Sequence, residues 1–133
     1  MRPLVLDSYA LLEWLLGQPG AAAVRRILEQ AEDGRVQVLM SWISLGEVTY
    51  MLAGKRGWQA TEKFINGIPS LPLRAIVPDV EDILGAARIK AKAKVSSADA
   101  FAIGLAVSLK ADIVTGDPEI RALALVPVIW LGR

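Results

Sequence analysis

Short apolar runs alternate along this chain with longer stretches in which apolar residues recur at helical spacing. Leu4-Val5-Leu6 is the first run, and it ends in Asp7-Ser8. Val36–Met40, Ala75–Val77, Asp112–Thr115 and Val128–Leu131 follow. Each is too short for a helix and rich in branched aliphatic residues, so each predicts a buried strand.

Helices are expected between them. Ser8 is positioned to N-cap the first, which carries Ala10, Leu11, Leu12, Trp14 and Leu15 before Gly17-Gln18-Pro19-Gly20 punctuates it. A second covers 21–31, with Val24, Ile27, Leu28 and Ala31 on one face. A third spans 41–53, bounded by Gly54 and Gly57, and a fourth runs from Trp58 to Ile68, ended by Pro69. Pro78-Asp79 opens a helix to about Lys94, Ser96-Ser97 start another over 98–110, and a short one covers 119–123. Nearly all-apolar strands separated by helices imply a parallel sheet covered on both faces, an α/β arrangement in three layers. The 133 residues, with no internal repeat or linker, suit one domain over 1–133.

Composition narrows the chemistry. There is no cysteine, which removes disulfides, thiolate metal sites and thiol nucleophiles. There is no histidine, which removes imidazole bases and imidazole ligands. Catalysis would rest on carboxylates, Lys, Ser/Thr, Tyr or a hard metal ion held by oxygen. The 15 basic and 14 acidic residues give a net charge of +1, which neither signals nor excludes a nucleic-acid partner. No apolar run approaches the roughly 18 residues that span a bilayer, and the apolar start is too short for a signal peptide, so a cytoplasmic location is expected.

Asp7 and Asp117 stand directly after predicted strands, where parallel sheets bind ligands. Turn and capping chemistry is the alternative, and Asp117-Pro118 reads as an N-cap followed by Pro at the first helical position. Glu47 and Asp99 sit early in helices, in Ser44-Leu45-Gly46-Glu47 and Ser96-Ser97-Ala98-Asp99, both compatible with capping boxes. Both also border apolar stretches. A carboxylate buried there needs a cation or hydrogen-bond donors. The other acids read as solvated charge or helix first-turn residues.

At these same positions the sequence resembles the PIN-domain ribonucleases. Val5-Leu6-Asp7-Ser8, Gly46-Glu47-Val48, Ser97-Ala98-Asp99-Ala100 and Val114-Thr115-Gly116-Asp117 resemble the family's motifs and occur in its order across essentially the whole chain. The size and the small-residue helix after Asp99 look like the toxin branch known as VapC. The resemblance implies a PIN-like domain with a parallel sheet of about five strands. It implies that Asp7, Glu47, Asp99 and Asp117 form an acidic quartet for Mg²⁺ or Mn²⁺, with Ser8 and Thr115 as supporting hydroxyls. It also implies RNA as substrate and a cognate antitoxin as partner. The chain departs from many relatives in having Gly46 where they have Asn, and Arg121 and Leu123 where an aromatic residue is usual.

The expected reaction is hydrolysis of RNA phosphodiester bonds by metal-activated water, with a divalent ion also clamping phosphate oxygens. Arg88, Lys90, Lys92 and Lys94 form the main basic run; Lys92 and Lys94, with Lys55-Arg56, are candidate phosphate contacts, the alternative being a solvated helix face. Trp14, Trp42, Trp58 and Trp130 are expected mostly in the core. Leu45, Tyr50, Met51 and Leu52 suggest an apolar surface for a homodimer or an antitoxin. Rival readings are a non-catalytic interaction module on the same scaffold, a receiver-like Mg²⁺-binding signalling domain, and a phosphatase with Asp7 as nucleophile. The last strand lacks the receiver's Lys, and Tyr9 stands where such phosphatases carry a second acid.

Overall fold

The structure, a computed structural model, describes residues 2–132. Its strands are β1 (Leu4–Leu6), β2 (Val38–Ser41), β3 (Arg74–Ile76), β4 (Asp112–Thr115) and β5 (Val128–Trp130). They form one sheet in the order β3-β2-β1-β4-β5, with every neighbouring pair parallel. Val5 is in register with Leu39 on one side and Ile113 on the other. The helices are α1 (Ser8–Leu15), α2 (Ala21–Glu32), α3 (Trp42–Gly67), α4 (Val80–Lys92), α5 (Ser97–Leu109) and α6 (Pro118–Leu123).

Strand alternation sends successive side chains to opposite faces, and this divides the core in two. Leu4, Leu6, Val38 and Met40 pack with Leu11, Val24, Leu45 and Val48 of α1, α2 and α3. Val5, Leu39 and Ile113 pack with Ala102, Ile103 and Ala106 of α5. Both faces are therefore buried, which is why the strands read as unbroken apolar runs.

Some boundaries differ from the sequence expectation. β2 begins at Val38; Gln37 contributes only its carbonyl, which accepts from the Leu4 amide at 2.9 Å. β3 is shifted to end at Ile76, and Val77 is exposed. The helix expected to reach Lys94 stops at Lys92, where Ala93 turns extended. The two helices expected over 41–68 form one continuous run broken at Gly57, whose φ of 80° and ψ of 171° are open to glycine but strained for other residues. Thr61 anchors the second half by donating its hydroxyl to the Gly57 carbonyl at 2.8 Å.

The topology places the site. From β1 the chain builds outward through β2 and β3, then crosses back to lay β4 and β5 on the other side. Strand order thus reverses between β1 and β4, and the crevice beyond their carboxyl ends is the ligand position of such sheets. A receiver-like sheet would run 2-1-3-4-5; this one does not. Among the described residues, no helix is long and apolar enough to cross a membrane.

Candidate active site

Asp7 leaves β1 in extended conformation and N-caps α1. One carboxylate oxygen accepts from the Ala10 amide at 2.8 Å, and the other accepts from the Thr115 hydroxyl. The expected cap, Ser8, is instead the first helical residue. Asp7, directly after the strand, takes the cap, and the Ser8 hydroxyl donates to the Ser44 carbonyl at 3.3 Å, tying α1 to α3. Asp7 is 1% exposed.

Thr115 ends β4 and serves both acids at the switch point. While donating to Asp7, its oxygen accepts from the Asp117 amide at 2.9 Å. Asp117 N-caps α6 through the Glu119 amide at 2.8 Å, with Pro118 following, as the sequence suggested. Gly116 between them admits the Tyr9 ring. A side-chain carbon built there would lie 2.2 Å from a ring carbon, closer than any packed contact.

Asp99 lies in the first turn of α5, where its amide donates to the Ser96 cap at 3.1 Å. Glu47 is different. α3 is capped by Ser41, which accepts from the Ile43 amide at 3.1 Å. Ser44-x-x-Glu47 is therefore not a capping box, and Ser44 is fully buried with its hydroxyl unpartnered. Glu47 sits a turn further on, free of capping duty.

Glu47, Asp99 and Asp117 line one cavity of about 490 Å³, together with Ser8 and Ser96, and Asp7 is buried beside it. Its burial pushes the Asp7 carboxyl from 3.8 up to about 7; Thr115 and the Ala10 amide oppose this, and Asp99 and Asp117 add to it. Asp99 is likewise raised to about 7, first by burial, then by Asp117, whose carboxylate is within hydrogen-bonding reach, and by Glu47. The four acids thus share one electrostatic neighbourhood. They do not close into a cage: among the described residues, no three stand ready to hold an ion. Asp7 and Asp117 are turned toward the backbone amides of Ala10 and Glu119. The donor chemistry suits a hard divalent cation. All donors are oxygen, and the burial and like charge that raise Asp7 and Asp99 are what a cation offsets.

Of the basic candidates, only Lys55 lines the cavity; Arg56, Lys92 and Lys94 are exposed elsewhere. Leu45 and Leu52 belong to the core, so of the suggested apolar surface Tyr50 and Met51 remain. Trp42 and Trp58 are exposed, and Trp58 donates to Glu62 at 3.0 Å, whereas Trp14 packs on the core. Trp130 is partly buried under the Arg121 guanidinium, 3.9 Å from its ring centre. Sequence reasoning missed Tyr9 and Met51 as cavity walls. The signal was present: Glu47, Met51 and Lys55 recur every four residues on α3, one helix face.

The family model described as PIN domain matches residues 4–125. Among solved structures, VapBC2 from Rickettsia felis, bound to a promoter DNA fragment, aligns with a TM-score of 0.75 at 14% identity over 95% of this chain and 96% of that one. DNA-bound VapBC from Salmonella typhimurium aligns at 0.74 with 17% identity, covering 98% and 99%. VapC20 from Mycobacterium tuberculosis, a Sarcin-Ricin loop cleaving toxin, aligns at 0.74 with 15% identity, covering 91% and 95%. At such identities the likeness is one of fold. No curated protein sequence matches the chain. Since the family match runs from β1 through α6 and takes in Asp7, Glu47, Asp99 and Asp117, the chain belongs to the PIN domain family.

Proposed function

We propose that this chain is a divalent-metal-dependent endoribonuclease, the toxin of a toxin–antitoxin pair. The observation that carries the reading is the grouping of four carboxylates at the β1/β4 switch point, two of them raised to about 7 by burial and mutual repulsion. A bound Mg²⁺ or Mn²⁺ would supply an acidified water and offset charge on phosphate oxygens.

The chain's own residues divide the remaining work. Asp7, Asp99 and Asp117 would hold the ion. Thr115 fixes Asp7 and the Asp117 backbone together through one hydroxyl. Glu47 faces the same cavity from α3, with no backbone amide to cap, and would orient the attacking water and take its proton. With no histidine in the chain, a carboxylate is the natural proton acceptor. Ser8 steadies the α1–α3 wall.

The partners follow from the same reading. Solved relatives with this fold are described as toxin–antitoxin assemblies, and a cognate antitoxin is proposed here too, along with a homodimer and a cytoplasmic location. Exposed Trp42 and Tyr50 are candidates for protein contact. Light scattering at micromolar concentration tests the dimer, and a monomer would remove it.

The deciding assay is cleavage of total RNA with Mg²⁺ or Mn²⁺, comparing wild type with Asp7→Asn and Asp99→Asn. Loss of cleavage in both variants and in EDTA is expected. Wild-type protein that cleaves nothing with either ion would leave a non-catalytic interaction module as the better description.

A further inference from the structure

The cavity extends well past the carboxylates. It continues between α1 and α3 as a groove walled by Tyr9, Leu12, Leu16 and Met51, and Lys55 lies among its lining residues. On α3, Glu47, Met51 and Lys55 present acid, apolar and basic groups on one face, over about 12 Å at helical rise. Tyr9 is 40% exposed, and its ring is held against Gly116, where no side chain could be accommodated without displacing it. Lys55 makes no ion pair among the described residues.

We propose that this groove is a nucleotide subsite: an unpaired RNA base flanking the cut stacks on Tyr9 against Leu12, Leu16 and Met51, and Lys55 takes the next phosphate. The inference rests on the ribonuclease reading above. The order of groups along the groove matches the order along a single strand. The carboxylate end would hold the divalent ion that offsets phosphate charge, the apolar middle takes the base, and Lys55 at the far end meets the next phosphate. An aromatic face accepts any base, and a lysine contacts phosphate without regard to sequence. A base can reach such a wall only when it is unstacked from its neighbours. A basic peptide would meet the acidic end but would bring like charge to Lys55, so charge complementarity favours RNA.

The test uses a mixed-sequence RNA dodecamer with 2-aminopurine at its centre, bound to the full chain carrying Asp99→Asn so that the RNA stays intact in Mg²⁺. Quenching of 2-aminopurine reports stacking, anisotropy reports affinity, and cleavage by the otherwise wild-type chain is measured in parallel. Tyr9→Leu is expected to abolish quenching and weaken binding about tenfold, with Tyr9→Phe restoring both. Lys55→Ala, an exposed position with no bearing on folding, is expected to weaken binding several-fold and to lower the salt slope by about one. If wild type cleaves the dodecamer but Tyr9→Leu and Lys55→Ala bind and quench as well as the parent, the subsite is wrong, the ribonuclease reading stands, and the groove belongs to a polypeptide partner. If wild type neither binds nor cleaves RNA, the ribonuclease reading fails and takes the subsite with it.

Discussion

The ends of β1 and β4 share one local grammar and differ in everything around it. Each is an apolar strand that delivers an aspartate, and each aspartate caps the helix that follows. Asp7 is tied to α1 and β4 and is almost wholly buried, whereas Asp117 opens on the cavity and spends its carboxylate on a helix only six residues long. The same two-residue pattern therefore yields a strained inner acid and an accessible outer one. Burial, which is set by neighbours far away in the chain, decides which is which.

Activity is the hardest test of that contrast. Asp7→Asn and Asp117→Asn should each lower the proposed RNA cleavage by on the order of 100-fold or more, since either removes a charge from the ion site. Equal activity in Asp7→Asn and wild type would mean that the buried acid is only a cap.

Stability should separate the two positions. Asparagine caps helices as well as aspartate does. In metal-free protein at pH 8, Asp7→Asn relieves a buried charge and should raise stability by roughly 1–3 kcal/mol, measured by urea unfolding. Asp117→Asn, at the open end, should stay within about 0.5 kcal/mol. A destabilised Asp7→Asn would reverse the assignment of strain.

Proton linkage gives a more graded effect. Asp7 and Asp99 hold protons up to about 7 when folded, against 3.8 for the free carboxyl. Between these values the native state binds more protons than the unfolded one, so their contribution falls as pH rises from about 4 to about 7 and is constant outside that window. Metal-free melting temperature should carry this negative slope. Millimolar Mg²⁺ or Mn²⁺ favours the ionised carboxylates, so the rise in melting temperature it produces should grow with pH and be nearly absent at pH 5. A metal-induced rise independent of pH would place the ion elsewhere.

A further change is at the residue joining the two ends. Thr115→Val deletes the donor to Asp7 and the acceptor for the Asp117 amide. It should cost about 1–2 kcal/mol and push the pH window of the metal effect upward, while Thr115→Ser restores both. Similar behaviour of Val and Ser would show that the hydroxyl bridge contributes nothing.

Much of this architecture could be read from residue order. Leu4–Leu6 and Ile113-Val114 read as unbroken apolar runs because both faces of the central strands are covered, and Asp117-Pro118 announces its cap locally. Other features depend on long-range packing. Nothing near Asp7 says that Thr115, more than a hundred positions away, will donate to it. Ser41 and Ser44 are equally good caps on paper; strand pairing that extends to Ser41 selects the first, and so frees Glu47. Trp42 and Trp58 look like core residues by type, yet the break at Gly57 and the helix register leave them facing out. Lys92 and Lys94 read as parts of one basic run on a helix, but the helix ends between them.

The Asp7–Thr115 bond joins residues 108 positions apart. A chain emerging from the ribosome therefore has no complete pocket until β4 has been made and has slotted in beside β1. That late closure would act as a safety catch, keeping the proposed nuclease inert during its own synthesis.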